Sequence, residues 1–348
     1  MYSQHVCESH KAVWILAHES QEHLAKAVVA ACEHLQTKAK QEKAFDSAKT
    51  RNVEYKQILQ WKTFHDGFPN LFIENVKDLA GKDVIFIASF HSTAVIFEQI
   101  SMIFAIPRYL AQSVTVILPY FPTGTMERID LEGQVATAKT LAMILSSTPS
   151  TARGPTQIMV FDIHALQERF YFTNDVIPRL ETAIPLLLHE LKSKPEEFPD
   201  RQIAIAFPDD GAEKRFSRLF PDHWERVVCQ KTRQADKRYI KIKEGNPNGK
   251  HVIIVDDLVQ TGGTLLEALK KIKEAGAQSV SCYVTHGVFP KESWRKFTTG
   301  ENAGVRYFWI TDSVPHSRHI CTNPPFKLLT LAHIIADILV GFDLRQAL

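Results

Sequence analysis

Cysteine, long apolar segments and an excess of either charge are all scarce in this sequence. The five cysteines (Cys7, Cys32, Cys229, Cys282 and Cys321) are odd in number, lie far apart and form no CxxC pair, which argues against a disulfide framework and a zinc site. No apolar segment is long enough to span a bilayer, and the first residues lack the apolar core of a secretory signal. A net charge of +2 excludes the broad basic field of a nucleic-acid-binding protein. These absences predict a cytoplasmic protein without a membrane or nucleic-acid partner.

The spacing of apolar residues predicts an α/β protein. Strand-like segments lie at 12–16, 84–88, 114–118, 158–161, 203–207, 252–255, 280–284 and 307–310. Helix-like segments lie at 21–35, 94–104, 135–145, 265–275 and 326–339. Strands that alternate with helices are typical of mostly parallel sheets with helices on both faces, and a length of 348 residues favours two domains. The polar residues 36–51 could extend the first helix or form a surface excursion.

The residues that follow these strands are candidates for a site, because ligands of parallel sheets bind beyond the carboxyl ends of the strands. The clearest case is 252–264, VIIVDDLVQTGGT. Its glycines allow a tight turn with backbone N–H groups against a ligand, and the N-terminus of the following helix suits a phosphate. The two aspartates would repel a phosphate, so they are better suited to sugar hydroxyls or to a metal. The segment therefore predicts a sugar-phosphate site formed by Asp256, Asp257, Thr261, Gly262, Gly263 and Thr264.

This segment resembles the ribose 5-phosphate loop of the type I phosphoribosyltransferase fold. That resemblance alone leaves open a phosphoribosyltransferase or a phosphoribosyl-pyrophosphate synthase. Further segments resemble the synthases, in the same order along the chain: LPYFPTGTMER (118–128), FDIHALQERF (161–170), FPDDGAEKRF (207–216), Lys231-Thr232-Arg233 and THGVF (285–289). On these residues the chain is identified as similar to the ribose-phosphate pyrophosphokinase family, and within it to the plant-type, phosphate-independent synthases.

The resemblance implies a fold and a reaction. The fold is α/β, with two tandem type I phosphoribosyltransferase-like domains, each with a mostly parallel sheet flanked by helices. The first domain is 1–180, completed by a C-terminal helix at 326–348, and the second is 181–325, which carries the ribose 5-phosphate loop. The reaction transfers the β,γ-diphosphoryl group of ATP to the anomeric hydroxyl of ribose 5-phosphate, with Mg²⁺ as cofactor and in a homo-oligomer.

The resemblance also implies a role for each residue of a matching motif. The expected catalytic residues are His164, Lys231 and Arg233. The expected ATP and pyrophosphate contacts are Asp66, Asn70, Thr125, Glu127, Arg128, Asp209, Gly211 and Lys214. The expected metal ligands are Asp162, His164 and Asp209. For Lys231 and Arg233 the alternative is a solvated basic face, because the whole stretch 231–243 is basic.

Two departures from the family pattern keep other functions open. The widespread form of the family has Arg-Gln-Asp where this chain has 125–127, Thr-Met-Glu, although Arg128 follows directly. A metal-associated aspartate is replaced by Thr173, with Asp175 close by. These changes motivate a second hypothesis, a synthase-associated regulatory subunit that kept the fold and lost turnover. A third, a phosphoribosyltransferase that acts on a base, is disfavoured by the two-domain length and by FDIHALQERF.

Overall fold

Two compact units make up the chain: Met1–Glu181 together with Leu331–Leu348, and Thr182–Thr330. The computed structural model describes residues 12–42, 51–234, 237–298 and 304–344. Several central strands are buried at every residue, for example Val13–Ala17 and Ile203–Phe207. Such strands fit a parallel sheet that is covered on both faces. Within the described ranges, no helix is long and apolar enough to cross a membrane.

The first unit is built on a parallel sheet. Its elements up to the unit boundary are β1 (Val13–Ala17), α1 (Glu22–Glu42), β2 (Val53–Tyr55), β3 (Leu59–Thr63), β4 (Pro69–Ile73), β5 (Asp83–Ile87), α2 (Thr93–Arg108), β6 (Ser113–Leu118), α3 (Thr137–Ser146), β7 (Thr156–Phe161) and β8 (Val176–Glu181). The sheet has the order β2-β1-β5-β6-β7-β8, and every neighbouring pair is parallel. β3 and β4 form a separate antiparallel hairpin. In α1 the buried residues Leu24, Val28 and Cys32 recur every four positions, so one face of this helix is apolar and packs toward β1 and β2.

The second unit is built on a larger sheet. Its elements are α4 (Ile184–Lys192), β9 (Ile203–Phe207), α5 (Asp210–Phe216), β10 (Glu225–Gln234), β11 (Lys237–Glu244), β12 (His251–Val259), α6 (Gly263–Glu274), β13 (Ser279–Gly287), β14 (Phe308–Thr311), α7 (Ser317–Ile320) and β15 (Phe326–Leu329). The strand order is β11-β10-β9-β12-β13-β14-β15, and only the β10–β11 pair is antiparallel. The chain then returns to the first unit as α8 (Ala332–Ile338), which packs against α1.

The sequence patterns predicted these elements unevenly. Each of the eight strand-like segments overlaps a strand and has at most one residue outside it, and the prediction of an α/β fold with mostly parallel sheets is confirmed. Two predictions placed the start of a helix at residue 326: the helix-like segment 326–339 and the C-terminal helix 326–348. Both are wrong in their first residues. Residues Phe326–Leu329 form β15 instead, because the Phe326 ring stacks on Phe308 (4.8 Å between centroids) and the strand pairs with β14. Of the ambiguous segment 36–51, residues up to Glu42 extend α1, and 43–50 lie outside the described residues.

The described cysteines carry free thiols. Cys32, Cys229 and Cys282 are buried and Cys321 is partly exposed, while Cys7 lies outside the described residues. Burial raises the pKa of the Cys229 thiol to about 11, so this thiol is protonated at neutral pH. These cysteines therefore contribute to the core as small apolar side chains.

Candidate active site

The sugar-phosphate loop, residues 259–263, connects β12 to α6 at the carboxyl end of the second sheet. β12 runs past the predicted strand end at Val255 and includes Asp256 and Asp257. Gly262 has φ +78°, a left-handed conformation that glycine adopts without strain. A Cβ at this position would lie 2.7 Å from a ring carbon of Phe297, so the loop also needs the small size of glycine.

The loop presents its polar groups to solvent. Thr261, Gly263 and Thr264 are exposed, and α6 begins at Gly263, two residues earlier than predicted. Its first backbone N–H groups therefore lie beside the threonine hydroxyls. The sequence did not predict that the Phe297 ring packs against Gly262, because no local pattern connects residue 297 to residue 262.

The two aspartates form a crowded acidic pair. Asp257 is buried, and its backbone N–H donates to Asp256 Oδ1 at 3.0 Å. Asp256 keeps part of its surface exposed, but protein atoms surround it densely. This desolvation raises the pKa of Asp256 well above its ordinary value of 3.8, and the charges of Asp257 and Asp209 raise it further. Such a pair is poised to accept hydrogen bonds from vicinal hydroxyls, because each new donor relieves the mutual repulsion.

Replacing Asp256 by asparagine is expected to stabilise the ligand-free protein near neutral pH. Because the folded-state pKa is raised, the stability contribution of this carboxyl is fully present below about pH 3.8 and is lost as the pH rises through the folded-state pKa. Asparagine removes that loss. The melting temperature of Asp256→Asn should exceed that of the wild type at pH 7 and approach it near pH 4.

The same substitution should weaken the binding of ribose 5-phosphate. An amide replaces a charged acceptor, so the KM for this sugar should rise about tenfold, as expected for one charge-assisted hydrogen bond. Thermal unfolding between pH 4 and 8 and steady-state kinetics measure the two effects. Equal melting temperatures at pH 7 would contradict the repulsion described for this pair.

The segment FPDDGAEKRF lies beside the acidic pair. It follows β9, which is the direct neighbour of β12 in the sheet. Asp209 caps α5: its Oδ1 accepts the backbone N–H groups of Gly211 and Ala212, both at 3.1 Å. Asp209 lies close enough to Asp256 for its charge to raise the pKa of that carboxyl. Lys214 is exposed on α5. The pyrophosphate and metal roles expected for Asp209, Gly211 and Lys214 stay predictions.

Lys231 and Arg233 belong to β10, in the part that pairs with β11. Their backbones lie opposite Ile240 and Arg238, respectively. Their side chains lie outside the described part of the structure. The catalytic role expected for them rests on the sequence.

In the first unit, the end of β7 carries Asp162 and His164. Asp162 is 1% exposed and has φ +37°, and its backbone N–H donates to Glu181 O at 2.9 Å. A non-glycine residue in the left-handed region costs energy and is concentrated at functional sites. His164, two residues later, is exposed. The chain thus turns abruptly at Asp162, directly after β7 ends at Phe161. This strained turn favours a functional site at this strand end over a simple connection.

The segment after β6 packs against this strand end. A Cβ at Gly124 would lie 3.2 Å from His164 Cβ, and the Tyr171 hydroxyl donates to the carbonyl of Glu127. Thr125 and Arg128 are exposed, and Arg128 pairs within its own loop, 3.4 Å from Asp130. The segments 118–128 and 161–170, which the sequence analysis treated as separate motifs, therefore form one surface at the ends of two adjacent strands.

Gly124→Ala is expected to impair the function of the proposed nucleotide site more than the binding of ribose 5-phosphate. The added methyl group would press on His164 Cβ at 3.2 Å and displace the imidazole by a few tenths of an ångström. We expect kcat to fall about fivefold with the KM for ribose 5-phosphate unchanged, since a small misplacement of a catalytic group is costly. Gly341→Ala is the stability control, since it adds a methyl group in open space of the same unit at a residue without a positive φ. A rise in the KM for ribose 5-phosphate alone would contradict this assignment.

Asp66 and Asn70 lie on the β3–β4 hairpin. Asp66 Oδ1 accepts the backbone N–H of Phe68 at 3.1 Å, and Asn70 is exposed opposite Lys62. The hairpin is attached to the end of β1 through Trp61, whose ring packs edge-on against the buried His18 at 4.8 Å. Burial lowers the pKa of His18 to about 4, so this contact involves a neutral imidazole at neutral pH. The ATP or pyrophosphate contact expected for Asp66 and Asn70 stays a prediction.

The donor groups fit a nucleotide-bound cation better than a structural metal centre. In the described ranges, no three His, Cys, Asp or Glu side chains are gathered so that they could hold a metal ion. Magnesium bound to a nucleotide needs only one or two carboxylates in addition to the phosphates, and the role of Asp162 as one of them stays a prediction. Thr173, which replaces a family aspartate, donates its hydroxyl to Asp175 at 2.7 Å.

Comparison with solved structures defines the class of protein. The fold is similar to that of phosphoribosylpyrophosphate synthetase from Mycobacterium smegmatis, with a TM-score of 0.73 over 94% of this chain and 97% of that chain, at 21% sequence identity. Residues 13–148 match the family model of the N-terminal domain of ribose phosphate pyrophosphokinase, and residues 196–299 match that of the phosphoribosyl transferase domain. The chain is therefore an α/β protein with a phosphoribosyltransferase-like architecture.

Sequence relatives narrow this class to one family. "Ribose-phosphate pyrophosphokinase 4" of Oryza sativa subsp. japonica is 53% identical over 86% of this chain and 92% of its own length. The protein of the same name in Arabidopsis thaliana is 54% identical over 81% of this chain and 84% of its own length. The chain belongs to the ribose-phosphate pyrophosphokinase family of transferases, and the resemblance read from its motifs is confirmed.

Proposed function

We propose that the chain is a ribose-phosphate diphosphokinase, which transfers the β,γ-diphosphoryl group of ATP to the anomeric hydroxyl of ribose 5-phosphate and releases AMP. The observation that carries this proposal is the combination of the acidic pair with the glycine loop. Asp256 and Asp257 suit sugar hydroxyls, and 261–264 suits a phosphate. A sugar phosphate satisfies both groups at once, and membership of the family supports the rest of the reaction.

The chain's own residues supply positioning and charge. The phosphate of ribose 5-phosphate lies on the N–H groups and hydroxyls of 261–264, and its ring hydroxyls donate to Asp256 and Asp257. The anomeric oxygen attacks the β-phosphorus in line, the bond from that phosphorus to the AMP oxygen breaks, and the anomeric proton passes to solvent. Such a transfer depends on alignment and on neutralisation of charge more than on covalent catalysis. Lys231 and Arg233 stabilise the charge that develops on the transferred group.

The nucleotide site is proposed for the first unit. Asp162, His164, Thr125, Glu127 and Arg128 are its candidates, because the ends of β6 and β7 bring them to one surface. Magnesium, when bound, neutralises the nucleotide phosphates, and Asp162 and His164 are the residues that would hold it. Asp66, Asn70, Asp209, Gly211 and Lys214 are proposed as further contacts of ATP or pyrophosphate. A metal role for Asp209 would require it to share the carboxylate that caps α5.

The setting of the reaction is also a proposal. We propose a homo-oligomer in the cytoplasm that needs no inorganic phosphate for activity. The names of the relatives at 53% and 54% identity mention no organelle, whereas other relatives at 52% are named chloroplastic or mitochondrial. Analytical ultracentrifugation tests the assembly, and a carboxyl-terminal fluorescent fusion tests the location.

One assay tests the function. Purified protein is incubated with ATP, magnesium and ribose 5-phosphate, and AMP and the pyrophosphorylated sugar are separated by ion-exchange chromatography. We expect the two products in equal amounts, with and without inorganic phosphate. Omission of ribose 5-phosphate controls for simple ATP hydrolysis. No AMP at saturating substrates would overturn the proposal and favour an inactive subunit, and turnover only with a nucleobase and the pyrophosphorylated sugar would favour a phosphoribosyltransferase.

A further inference from the structure

We propose that Ser293 and Lys296 are positioning residues of the sugar-phosphate loop, because they hold its carbonyl groups so that its N–H groups face the phosphate. This inference rests on the proposed function and deepens it, since it assigns the preorganisation of the phosphate site to a segment outside the sugar-phosphate motif 252–264. The segment is 288–297, which we call the support segment. It follows β13 and lies far along the chain from the loop that it contacts.

Three successive loop carbonyls are bound by the support segment. The backbone N–H of Val288 donates to Val259 O at 3.1 Å. The Ser293 hydroxyl donates to Gln260 O at 3.0 Å, and Lys296 Nζ donates to Thr261 O at 3.1 Å. Two of the three contacts come from side chains, so substitution can remove them one at a time without a change in the backbone.

The direction of these carbonyls decides where the loop N–H groups point. In a trans peptide, the C=O of one residue and the N–H of the next point in opposite directions. Because the carbonyls of 259, 260 and 261 point at the support segment, the N–H groups of 260, 261 and 262 point away from it. Consecutive N–H groups that point the same way form a concave anion site. An anion that meets donors already in place avoids the cost of ordering them.

The support segment is rigid enough for this task because aromatic residues anchor it. Ser293 directly precedes Trp294, and Lys296 directly precedes Phe297, and both aromatic side chains are buried. The Phe297 ring lies under Gly262 and packs at 90° on Phe308, 5.0 Å between centroids. Each polar contact to the loop is thus made by a residue whose neighbour is fixed in the core.

The backbone of the support segment is strained, as is common at functional sites. Phe289, Lys291 and Glu292 all have positive φ, between +39° and +54°. Three such non-glycine residues within four positions require packing that holds them in place. This bend brings the 293–297 turn against the loop, where Lys296 Nζ reaches Thr261 O. Arg295, in contrast, is paired with Glu292 at 3.0 Å.

The test compares Ser293→Ala and Lys296→Met with Lys291→Met, which removes an equal charge from an exposed side chain of the same segment. We expect the KM for ribose 5-phosphate to rise about tenfold in each of the first two variants, with kcat and the KM for ATP within about twofold. Lys291→Met should behave as the wild type. Lys296→Arg, which keeps a charged donor, should restore most of the affinity.

A second readout follows the phosphate site itself. Inorganic phosphate should bind the ligand-free Ser293→Ala and Lys296→Met variants about tenfold more weakly than the wild type, as measured by calorimetry, with equal melting temperatures. A selective loss of phosphate affinity with unchanged melting temperatures excludes a purely structural role. A general loss of stability, with all kinetic constants reduced alike, would overturn the inference.

The remaining outcomes separate this inference from the proposed function. If the wild type forms AMP and Asp256→Asn raises the KM for ribose 5-phosphate, but Ser293→Ala and Lys296→Met do not, the positioning role is wrong and the function stands. If the wild type neither binds ribose 5-phosphate by calorimetry nor forms AMP, the proposed function fails and the inference fails with it. Weaker binding of inorganic phosphate together with a selective rise in that KM supports both.

Discussion

Gly262→Ala is expected to lower the free energy of unfolding by about 3 kcal/mol and kcat/KM for ribose 5-phosphate by about 100-fold. The stability loss has two causes: φ is +78° at this residue, and the new Cβ would lie 2.7 Å from the buried Phe297 ring. Because Phe297 packs on Phe308 and Phe289, it cannot move aside without disturbing the core. The loop must move instead, and the donors for the phosphate move with it.

Gly263→Ala is the matched stability control for this prediction. A Cβ at Gly263 meets no atom within 4 Å, and the residue begins α6, where alanine is a better helix former than glycine. Its free energy of unfolding should therefore equal or slightly exceed that of the wild type. Chemical denaturation of both variants measures the difference. Equal stability of the two variants would contradict the close approach of Phe297 to the loop.

Lys231→Ala and Arg233→Ala should each lower kcat by about 10²- to 10³-fold, because removal of one group that stabilises transition-state charge has costs of this size. The KM for ribose 5-phosphate should change little, since the proposed sugar-phosphate site lies at β12 and α6. Single-turnover measurements with quenched samples would show whether the chemical step itself is slowed.

Lys241→Ala controls for the basic character of this hairpin. Lys241 is exposed on β11, opposite Gln230 of β10, and its removal costs the same unit of charge. We expect its kcat to equal that of the wild type. If Lys231→Ala and Arg233→Ala also keep a kcat near wild type, these residues form a solvated basic face and the catalytic assignment is wrong.

The fold could be predicted from the sequence wherever the local pattern and the tertiary environment agree. Strands such as Ile203–Phe207 are apolar throughout, so burial on both faces could be read directly. The prediction was wrong at Phe326–Leu329, where an apolar segment continues into α8 without a helix-stopping residue. Partners far along the chain decided that case, because Phe308 and β14 offered a sheet edge that periodicity does not reveal. The strands β10 and β11 were missed for a related reason. Val227, Val228 and Cys229 of β10 are buried, but the polar residues that follow them are held by cross-strand pairing, which periodicity does not reveal.

For the site, the sequence by itself was enough to predict the kind of ligand. Two aspartates, a glycine turn and a helix start in one short segment suit a sugar phosphate, because their spacing places donors and acceptors side by side whatever surrounds them. Only the tertiary structure decided how the groups are tuned. Desolvation and Asp209 raise the pKa of Asp256, Gly124 packs against His164, and Phe297, Ser293 and Lys296 shape the loop from below. These contacts join residues that are distant in the chain, and electrostatic and packing energies depend on distance in space, which a sequence does not contain.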